Sequence, residues 1–450
     1  MRLHCTEQGN DFAFMGQFGP ENLGRGPCLP GFLRHRQGLG VRASIVDGDV
    51  EAVRRKLQRN GAADPTGGTG DQTNRAMAHG FYNPAMPTTQ RSSVSAPLLR
   101  LIHGAIAREG GWLPFDRFMA MALYAPGLGY YASSSCKFGV LPSTGSDFVT
   151  APELSSLFGA TLARQVRQAL AACSSDTVWE FGAGSGALAE QLLDALGDGV
   201  ASYCIVDISA TLRHRQQDRL ARFASKVRWL DALPDQMHGV IIGNEVLDAM
   251  PVQLLHFDGQ TWFERGVVSL HGGFAWSDRP SRLTAPFRHG LWPRTTTEVH
   301  PQAEAFVATL GTRLQCGVVV FIDYGFPQAE YYHVQRQGGT LMCHRAHRSD
   351  DNPLVDVGLK DITAHVNFSG IALAGQDHGL NVLGYTSQAN FLINCGLLGL
   401  LESAGARERA NAQKLMTEHE MGELFKVIAF SKGCEFDALG FVRGDRTHTL

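Results

Sequence analysis

The chain of 450 residues carries 40 basic and 43 acidic side chains, a formal net charge of −3, which excludes the broad basic surface typical of nucleic-acid-binding proteins. Hydrophobic residues make up 44% of the chain, enough for a large core, yet no apolar run approaches the ~20 residues that a membrane span needs. The nine cysteines are odd in number and lack C-x-x-C pairing, which is typical of free thiols in a reducing compartment.

Residues 1–94 form an N-terminal extension that is rich in glycine and polar residues and has little sustained periodicity. This composition predicts a mostly disordered segment. Met77 and Met86 lie just before the globular part. An alternative interpretation is that translation starts at one of them and that the upstream residues are wrongly assigned to the protein.

Residues 95–160 are predicted to form a helical cap, because they precede the first strand of the sheet and contain two amphipathic helices, the second around Phe118. Thr150 and Glu153 occupy the N-cap and capping-box positions of the next predicted helix. Together with Asp147 they are also candidates to reach a bound cofactor from the cap.

The sequence VWEFGAGSGALAEQLL at residues 178–193 joins a buried strand to a helix through three glycines. Gly182, Gly184 and Gly186 permit a tight turn and allow a ligand to approach the backbone. A dinucleotide fingerprint reads G-x-G-x-x-G and seats a pyrophosphate on the helix N-terminus, whereas the spacing here is G-x-G-x-G and Glu180 precedes it. A carboxylate repels a pyrophosphate but suits the sulfonium and amino groups of S-adenosylmethionine, which we therefore expect as the cofactor.

Three further apolar runs each end in polar residues, as expected of successive strands in a parallel sheet. Asp207 is placed to bind the two ribose hydroxyls, and Asp231 to accept a hydrogen bond from the adenine amino group. Asn244 and Glu245 follow the fourth strand. Because ligands of open α/β sheets bind outside the carboxyl ends of the strands, the four signals together predict a class I methyltransferase with a Rossmann-like α/β sheet.

The methyltransferase domain is predicted to span residues 161–450, with a β-rich insertion at about residues 251–300. Short strands separated by turn residues, in QLLHFDG, TWFERGVVSL and GGFAWS, indicate a β-meander there. The fifth strand of the sheet is therefore delayed to GVVVFIDYGFP, and the last strands are LNVLGYTS and FKVIAFSKG with helical sequence between them.

Six motifs carry a resemblance to a known family: DFVTAPELSSLFG, EFGAGSGALA, NEVLDAMPV, IDYGFP, EYYHVQRQGGTLMCH and DITAHVNF. From about residue 97 to its end, the chain resembles the MidA-like methyltransferases. The resemblance implies a class I fold with a helical and β-rich cap, and methylation of a protein arginine. The chain departs from the family in having Asp207 where Glu is frequent, and in a shortened run, RAHRSDDNP, after LMCH.

The resemblance also defines the expected partner and location. Mitochondrial members of the family assist respiratory complex I assembly and convert an arginine of a core subunit to symmetric dimethylarginine. We therefore expect a protein substrate of the complex I subunit type, met in the cytoplasm of a bacterium or in the mitochondrial matrix of a eukaryote. No nucleic acid and no integral membrane segment are expected, and the sequence leaves open a homodimer and the degree of methylation.

Arginine methylation needs groups that grip a permanently charged guanidinium and localise its charge away from the attacking nitrogen. Glu245, with Asn244 beside it, is the predicted clamp because the methyl group should project toward the loop after strand four. Asp248 lies in the same loop, and its alternative role is that of an acid serving a helix dipole. Asp323 follows strand five and would hold the target arginine or order its neighbours, the alternative being a turn cap.

His365 is expected to act as a base or to bond the substrate backbone, but a histidine beside an apolar strand is also compatible with a core residue, and Asp361 has the same two interpretations. Cys343, His344 and His347 in CHRAHR lack a second pair at a zinc spacing, so no metal site is expected.

Two other functions stay open at this point. The first is an assembly chaperone that binds the cofactor with little turnover, and the second is a small-molecule methyltransferase. The long insertion disfavours the small-molecule enzyme, because a protein substrate needs the larger platform. A nicotinamide oxidoreductase is least favoured, given the glycine spacing and Glu180.

Overall fold

A computed structural model of the chain describes residues 88–133, 149–207, 209–283, 294–346 and 348–450. Asp147 and His347 therefore lie outside the described residues, as does most of the predicted disordered extension. The described part begins with a helix at Thr88, so the last residues of the range predicted as disordered are helical.

The elements alternate between helices and strands along most of the chain. The helices are α1 (Thr88–Arg108), α2 (Phe115–Tyr124), α3 (Ala151–Leu154), α4 (Ser156–Ala172), α5 (Ala187–Leu196), α6 (Ala210–Arg219), α7 (Pro301–Arg313), α8 (Gln328–Tyr331), α9 (Phe368–Asp377), α10 (Gln388–Asn394), α11 (Leu397–Ser403) and α12 (Ala406–Met416). The strands are β1 (Leu113–Pro114), β2 (Thr177–Phe181), β3 (Ser202–Val206), β4 (Val227–Leu230), β5 (Met237–Asn244), β6 (Gln253–Phe257), β7 (Trp262–Leu270), β8 (Gly273–Pro280), β9 (Thr295–Val299), β10 (Leu314–Phe326), β11 (Met342–Arg345), β12 (Arg348–Asp350), β13 (Asp361–Thr363), β14 (Val366–Asn367), β15 (Asn381–Ser387) and β16 (Phe425–Lys432).

The central sheet has the strand order β15-β16-β10-β5-β2-β3-β4, and β14 adds a short pairing at the end of β10. Strands β2, β3, β4, β5 and β10 are parallel, whereas β16 runs antiparallel to both of its neighbours. The middle strands are continuous apolar runs because both faces of the sheet are covered, and every residue of β10 from Val318 to Ile322 is fully buried. This arrangement confirms the predicted α/β sheet of the class I methyltransferase type.

Helices cover the two faces of the sheet. On one face, Phe158 and Leu162 of α4 pack with Leu192 of α5 and with Val178 of β2. On the other face, α7 and α9 pack against β5 and β10. Because α4 begins at Ser156 and belongs to this layer, the helical cap ends earlier than the predicted boundary at residue 160.

The segment before α4 differs from the predicted capping box. Thr150 precedes only the four-residue helix α3, and its side chain makes no capping hydrogen bond. Ser155 caps the long helix α4, since its hydroxyl accepts a hydrogen bond from the N–H of Leu157. Glu153 instead reaches Ser185 and Arg219. The Ser155 cap is local, whereas the contacts of Glu153 join segments that are distant in the chain and that local sequence does not reveal.

The N-terminal helices and the insertion pack together as one cap. The insertion sheet has the order β1-β7-β6-β9, with β8 paired to β7, and its strand β1 is contributed by the N-terminal segment through Leu113 opposite Val267. Leu98 of α1 and Phe118 of α2 share an apolar cluster with Leu254 and Val267 of the insertion. A small sheet of order β12-β11-β13 completes this side of the chain.

Candidate active site

A cavity of about 500 Å³ lies at the carboxyl ends of β2, β3, β5 and β10. Its floor includes the glycine loop and the strand ends, and Tyr124, Tyr131, Met342 and His344 contribute to the wall on the cap side. A volume of this size is typical of small-molecule and cofactor sites. The predicted residues Glu180, Gly182, Gly184, Asp207, Asn244, Glu245, Asp248 and His365 all line it.

The glycine loop has the backbone that its sequence predicts. Gly182, Gly184 and Gly186 have φ angles of 62°, 54° and 81°, which side-chain-bearing residues rarely adopt. A Cβ on Gly182 would also lie 3.0 Å from Cγ2 of Val246. Gly186 lies outside the lining formed by the described residues and instead serves as the N-cap of α5, packed against Gln216. Its contribution to cofactor binding is therefore indirect.

Glu180 is 2% exposed and faces the cavity from the end of β2. The hydroxyl of Tyr203 donates a hydrogen bond of 2.7 Å to its Oε2. Burial raises the pKa of Glu180 to about 8, because a carboxylate loses its hydration there. A cationic or amino ligand beside Glu180 would compensate for the lost hydration and favour the ionised carboxylate.

The two acids predicted to hold the nucleoside are placed differently. Asp207 lines the cavity, and its Oδ1 accepts a 2.9 Å hydrogen bond from the N–H of Ser209. Burial raises the pKa of this carboxyl. Asp231, by contrast, has a side chain that is 85% exposed and ion-paired with Arg213 at 2.5 Å. Asp231 lies outside the cavity lining of the described residues, so the structure does not bring it to the site, and its contact with the adenine stays a prediction.

Glu245 is held in a conformation that is unusual for a residue with a side chain. Its φ is 54°, in the left-handed region, and its N–H donates to the carbonyl of Ile322 at 2.9 Å. Its Oε1 accepts a 3.1 Å hydrogen bond from Nδ2 of Asn244, which fixes the amide orientation. Burial, reinforced by the charge of Asp248, raises the pKa of Glu245 to about 8. The strained turn aims this carboxylate into the cavity.

Two more carboxylates reach the same space, each bonded to a tyrosine. The hydroxyl of Tyr324 donates to Oδ2 of Asp248, and that of Tyr131 donates to Oδ2 of Asp361 at 2.8 Å. Oδ1 of Asp248 is buried and has no hydrogen-bond partner among the described residues. Burial raises the pKa of Asp248 to about 6. Glu245, Asp248 and Asp361 thus form an acidic group beside the glycine loop.

Asp323 is buried beneath this group rather than exposed to the cavity. Its Oδ2 accepts hydrogen bonds from three successive backbone N–H groups, of Val246, Leu247 and Asp248, at 3.2, 2.9 and 3.3 Å. Of the two roles predicted for Asp323, the structure shows the ordering of its neighbours, because the carboxylate accepts N–H groups of the loop that carries Glu245 and Asp248. Contact with the target arginine stays a prediction.

His365 lies between two aromatic rings at the cavity wall, stacked on Phe326 with ring centroids 5.3 Å apart and edge-on to Tyr324. Burial and the positive charge of Arg336 lower its pKa to about 4, so the imidazole is neutral at neutral pH. Its Nδ1 is buried without a partner in the described part of the chain. It is suited to hydrogen bonding and is a weak base.

Some of the lining could not be identified from local sequence. Tyr124 and Tyr131 come from the cap, Tyr124 at the end of α2 and Tyr131 at the end of the sequence APGLGYY that follows it. The described residues contain no group of three metal-ligating side chains, and none of their helices is long and apolar enough to cross a membrane. Cys343 is fully buried.

S-adenosylmethionine fits these residues. Gly182 and Gly184 leave room for close approach, Glu180 suits a cationic centre with an amino group, and Asp207 presents a carboxylate to hydroxyls. Oδ1 of Asn244 is a buried acceptor without a partner among the described residues, as expected where a ligand donor belongs. The fold and the site together define a class I S-adenosylmethionine-dependent methyltransferase.

Comparison with known proteins gives the family. A family model described as an S-adenosyl-L-methionine-dependent methyltransferase matches residues 161–386, half of the chain. The chain belongs to this family. A methyl transferase structure from Burkholderia thailandensis, bound to S-adenosyl-homocysteine, is 48% identical, covers 81% of this chain and 99% of its own, and superimposes with a TM-score of 0.77.

More distant relatives carry a more specific name. The mitochondrial protein arginine methyltransferase NDUFAF7 homolog of Caenorhabditis elegans is 28% identical over 376 residues, 73% of this chain and 85% of that protein. The mitochondrial protein arginine methyltransferase NDUFAF7 of Danio rerio is 26% identical over 384 residues, 75% of this chain and 87% of that protein. The chain is therefore similar to these proteins over most of their length.

Proposed function

We propose that this methyltransferase acts on an arginine side chain of a protein partner. The observation that carries the proposal is the convergence of Glu245, Asp248 and Asp361 on the cavity wall that adjoins the glycine loop. The names of the relatives from Caenorhabditis elegans and Danio rerio support the same substrate.

The acidic group matches the charge of a guanidinium. Arginine stays charged in proteins and offers donors in a planar fork that pairs with carboxylates. Burial raises the pKa of both Glu245 and Asp248, and the repulsion of Asp248 adds to the shift at Glu245. A bound guanidinium relieves that repulsion and favours the ionised carboxylates, so binding energy is concentrated on a cationic substrate.

The residues of the chain then perform three tasks around the bound cofactor. S-adenosylmethionine, when bound, supplies a methyl group on a sulfonium centre. Glu245 holds the guanidinium and localises its charge on the nitrogens that it binds, which leaves the lone pair of the third nitrogen for attack. Asp248, bonded to Tyr324, is the acceptor for the proton that this nitrogen loses. The aromatic rings and the cap exclude water from the reacting atoms.

The partner and the location follow from the resemblance to the MidA-like family. We propose a complex I subunit as the protein substrate. We place the reaction in a bacterial cytoplasm, because identity to the Burkholderia thailandensis protein is 48% and identity to the mitochondrial relatives is 28% or less. In a eukaryote the mitochondrial matrix would be the corresponding site. Light scattering of the purified chain decides whether it is a homodimer.

The test is methylation of the complex I core subunits of the source organism with isotopically labelled S-adenosylmethionine, read by mass spectrometry of arginine-containing peptides. The expected product is methylated arginine, and its mass distinguishes one methyl group from two. Asp248→Asn should abolish labelling, whereas Asp235→Asn, the same change at an exposed position, should leave it intact.

Glu245→Gln separates the enzyme from its alternatives. Lost methylation with retained binding of the partner supports the enzyme. Unchanged assembly of the partner complex by the Glu245→Gln protein would support a chaperone. Labelling of a small metabolite in place of any protein would support a small-molecule methyltransferase and overturn the proposal.

A further inference from the structure

Gln216 is a fully buried polar residue on α6 that joins two parts of the cofactor site. Its Nε2 donates a hydrogen bond of 2.9 Å to the carbonyl of Gly184, in the glycine loop. The same nitrogen donates a hydrogen bond of 2.8 Å to Oδ2 of Asp207. Its Oε1 accepts a hydrogen bond of 3.0 Å from the indole N–H of Trp229. The amide therefore has a partner for each of its two N–H groups and for its oxygen.

These partners determine the orientation of the amide. A backbone carbonyl and an ionised carboxylate only accept hydrogen bonds, whereas an indole N–H only donates. A flipped amide would place its oxygen against Gly184 and Asp207 and its NH₂ against Trp229, which would lose all three hydrogen bonds. Gln216 is consequently locked, and a buried amide with no freedom to reorient is a rigid support for its neighbours.

The Asp207 carboxylate is fixed from two directions. Oδ1 accepts the N–H of Ser209 and Oδ2 accepts Nε2 of Gln216. Each oxygen has a second lone pair, and the carboxylate lines the cavity. Two vicinal hydroxyls can bond such a carboxylate only if its plane is held at one angle. The glycine loop is held by the same amide, so the loop and the acid keep a constant separation.

We propose that Gln216 is a positioning residue for the nucleoside of the cofactor, which it serves by orienting the Asp207 carboxylate toward the ribose hydroxyls and by tying that carboxylate to the glycine loop. It makes its contribution through Asp207 and Gly184 and lies outside the cavity lining of the described residues. The inference rests on cofactor binding by the family and is independent of the arginine substrate.

The experiment compares two ligands by calorimetry, S-adenosylhomocysteine and its analogue that lacks both ribose hydroxyls. Gln216→Met keeps the length of the side chain and removes the amide. The variant should bind S-adenosylhomocysteine roughly tenfold more weakly or worse, since the buried partners Gly184 and Asp207 lose a donor. The loss for the dideoxy analogue should be clearly smaller, because that ligand does not use Asp207. Gln217→Met, the same change at the exposed neighbouring position, should bind both ligands like the unmodified protein.

Equal losses for the two ligands would overturn the proposal, because they would assign Gln216 a role in the fold alone. Unchanged affinity for S-adenosylhomocysteine would overturn it as well. If Gln216→Met does not fold, Gln216→Glu retains the shape and places a second carboxylate against Asp207. The same criterion then applies, with a larger loss expected for S-adenosylhomocysteine than for the analogue.

Discussion

The carboxylate of Asp323 accepts a hydrogen bond of 2.9 Å from the backbone N–H of Leu247, although 76 residues separate them in the chain. The same oxygen also accepts the N–H groups of Val246 and Asp248. A single buried acid at the end of β10 therefore shapes the loop after β5. That loop turns Glu245 and Asp248 into the cavity, so the geometry of the acidic group depends on a residue that does not contact ligand space.

Asp323→Asn should destabilise the protein. The amide has only one oxygen, and its NH₂ would face either the N–H groups of the loop or that of Tyr324, which leaves a buried donor unpaired. We expect the free energy of unfolding in urea to fall by about 2 kcal/mol, a cost typical of a lost buried hydrogen bond to a charged group. Asp235→Asn, at an exposed position, should leave it unchanged. If Asp323→Asn has normal stability and has lost only activity, the result would favour direct contact between Asp323 and the target arginine.

The acids that follow the strands show which parts of the site can be predicted from the sequence. Strand ends locate residues at the ligand edge of the sheet, and this was sufficient for Glu180 and Asp207. Strand ends do not indicate that the side chain of Asp231 is exposed or that Asp323 is buried beneath the loop, since the direction of a side chain after a strand depends on its contacts. The pairing of Asp361 with Tyr131 joins residues 230 positions apart and has no local signal in the sequence.

Asp231→Ala should leave cofactor binding unchanged, whereas Asp207→Ala should weaken it. The Asp231 side chain is exposed and paired only at the surface with Arg213, so its removal should leave both stability and affinity for S-adenosylhomocysteine unchanged. Removal of the Asp207 carboxylate should weaken binding roughly 10- to 100-fold, because the ribose hydroxyls lose a charged acceptor. Calorimetric titration of both variants with S-adenosylhomocysteine measures the two affinities. Weaker binding of S-adenosylhomocysteine by the Asp231→Ala protein would show that Asp231 belongs to the cofactor site.

Glu153 connects the segment before α4 to the glycine loop. Its Oε1 accepts hydrogen bonds from the hydroxyl of Ser185 and, at 2.9 Å, from Nη1 of Arg219, which also donates to the Ser185 hydroxyl. Glu153→Ala should weaken S-adenosylhomocysteine binding several-fold, because Ser185 and Arg219 lose their shared acceptor and the loop is less constrained.

A double-mutant cycle tests this coupling. Ser185→Ala alone should have a similar effect, and the double variant Glu153→Ala, Ser185→Ala should be little worse than either change alone. Calorimetry with S-adenosylhomocysteine gives the affinities of the unmodified protein and of the three variants. Additive losses would show that Glu153 and Ser185 act independently, contrary to the contact in the structure.

Two buried glutamates should give stability and activity opposite dependences on pH. Glu180 and Glu245 each have a pKa of about 8 in the folded chain, raised from 4.5 by burial. Between these pH values the two glutamates hold more protons in the folded chain than in the unfolded chain, so their contribution to the free energy of unfolding should fall as the pH rises. Urea unfolding without ligand, measured from about pH 6.5 to pH 8, tests this direction above the range in which the buried neutral His365 makes stability rise with pH. A free energy of unfolding that rises with pH over this range, in both the unmodified protein and Glu245→Gln, would indicate that the two acids are ionised throughout.

Activity should rise over the same range, because only the ionised form of Glu245 holds a guanidinium. The pH dependence of kcat/KM reports groups of the free enzyme, so its rising limb should level off near pH 8. Glu245→Gln should lower kcat/KM roughly 10- to 100-fold, flatten this limb and reduce the loss of stability toward high pH. Glu402→Gln, at an exposed position of α11, should change neither profile. If the limb persists unchanged in Glu245→Gln, another group controls the reaction, and Asp248, with a pKa of about 6, is the first to examine.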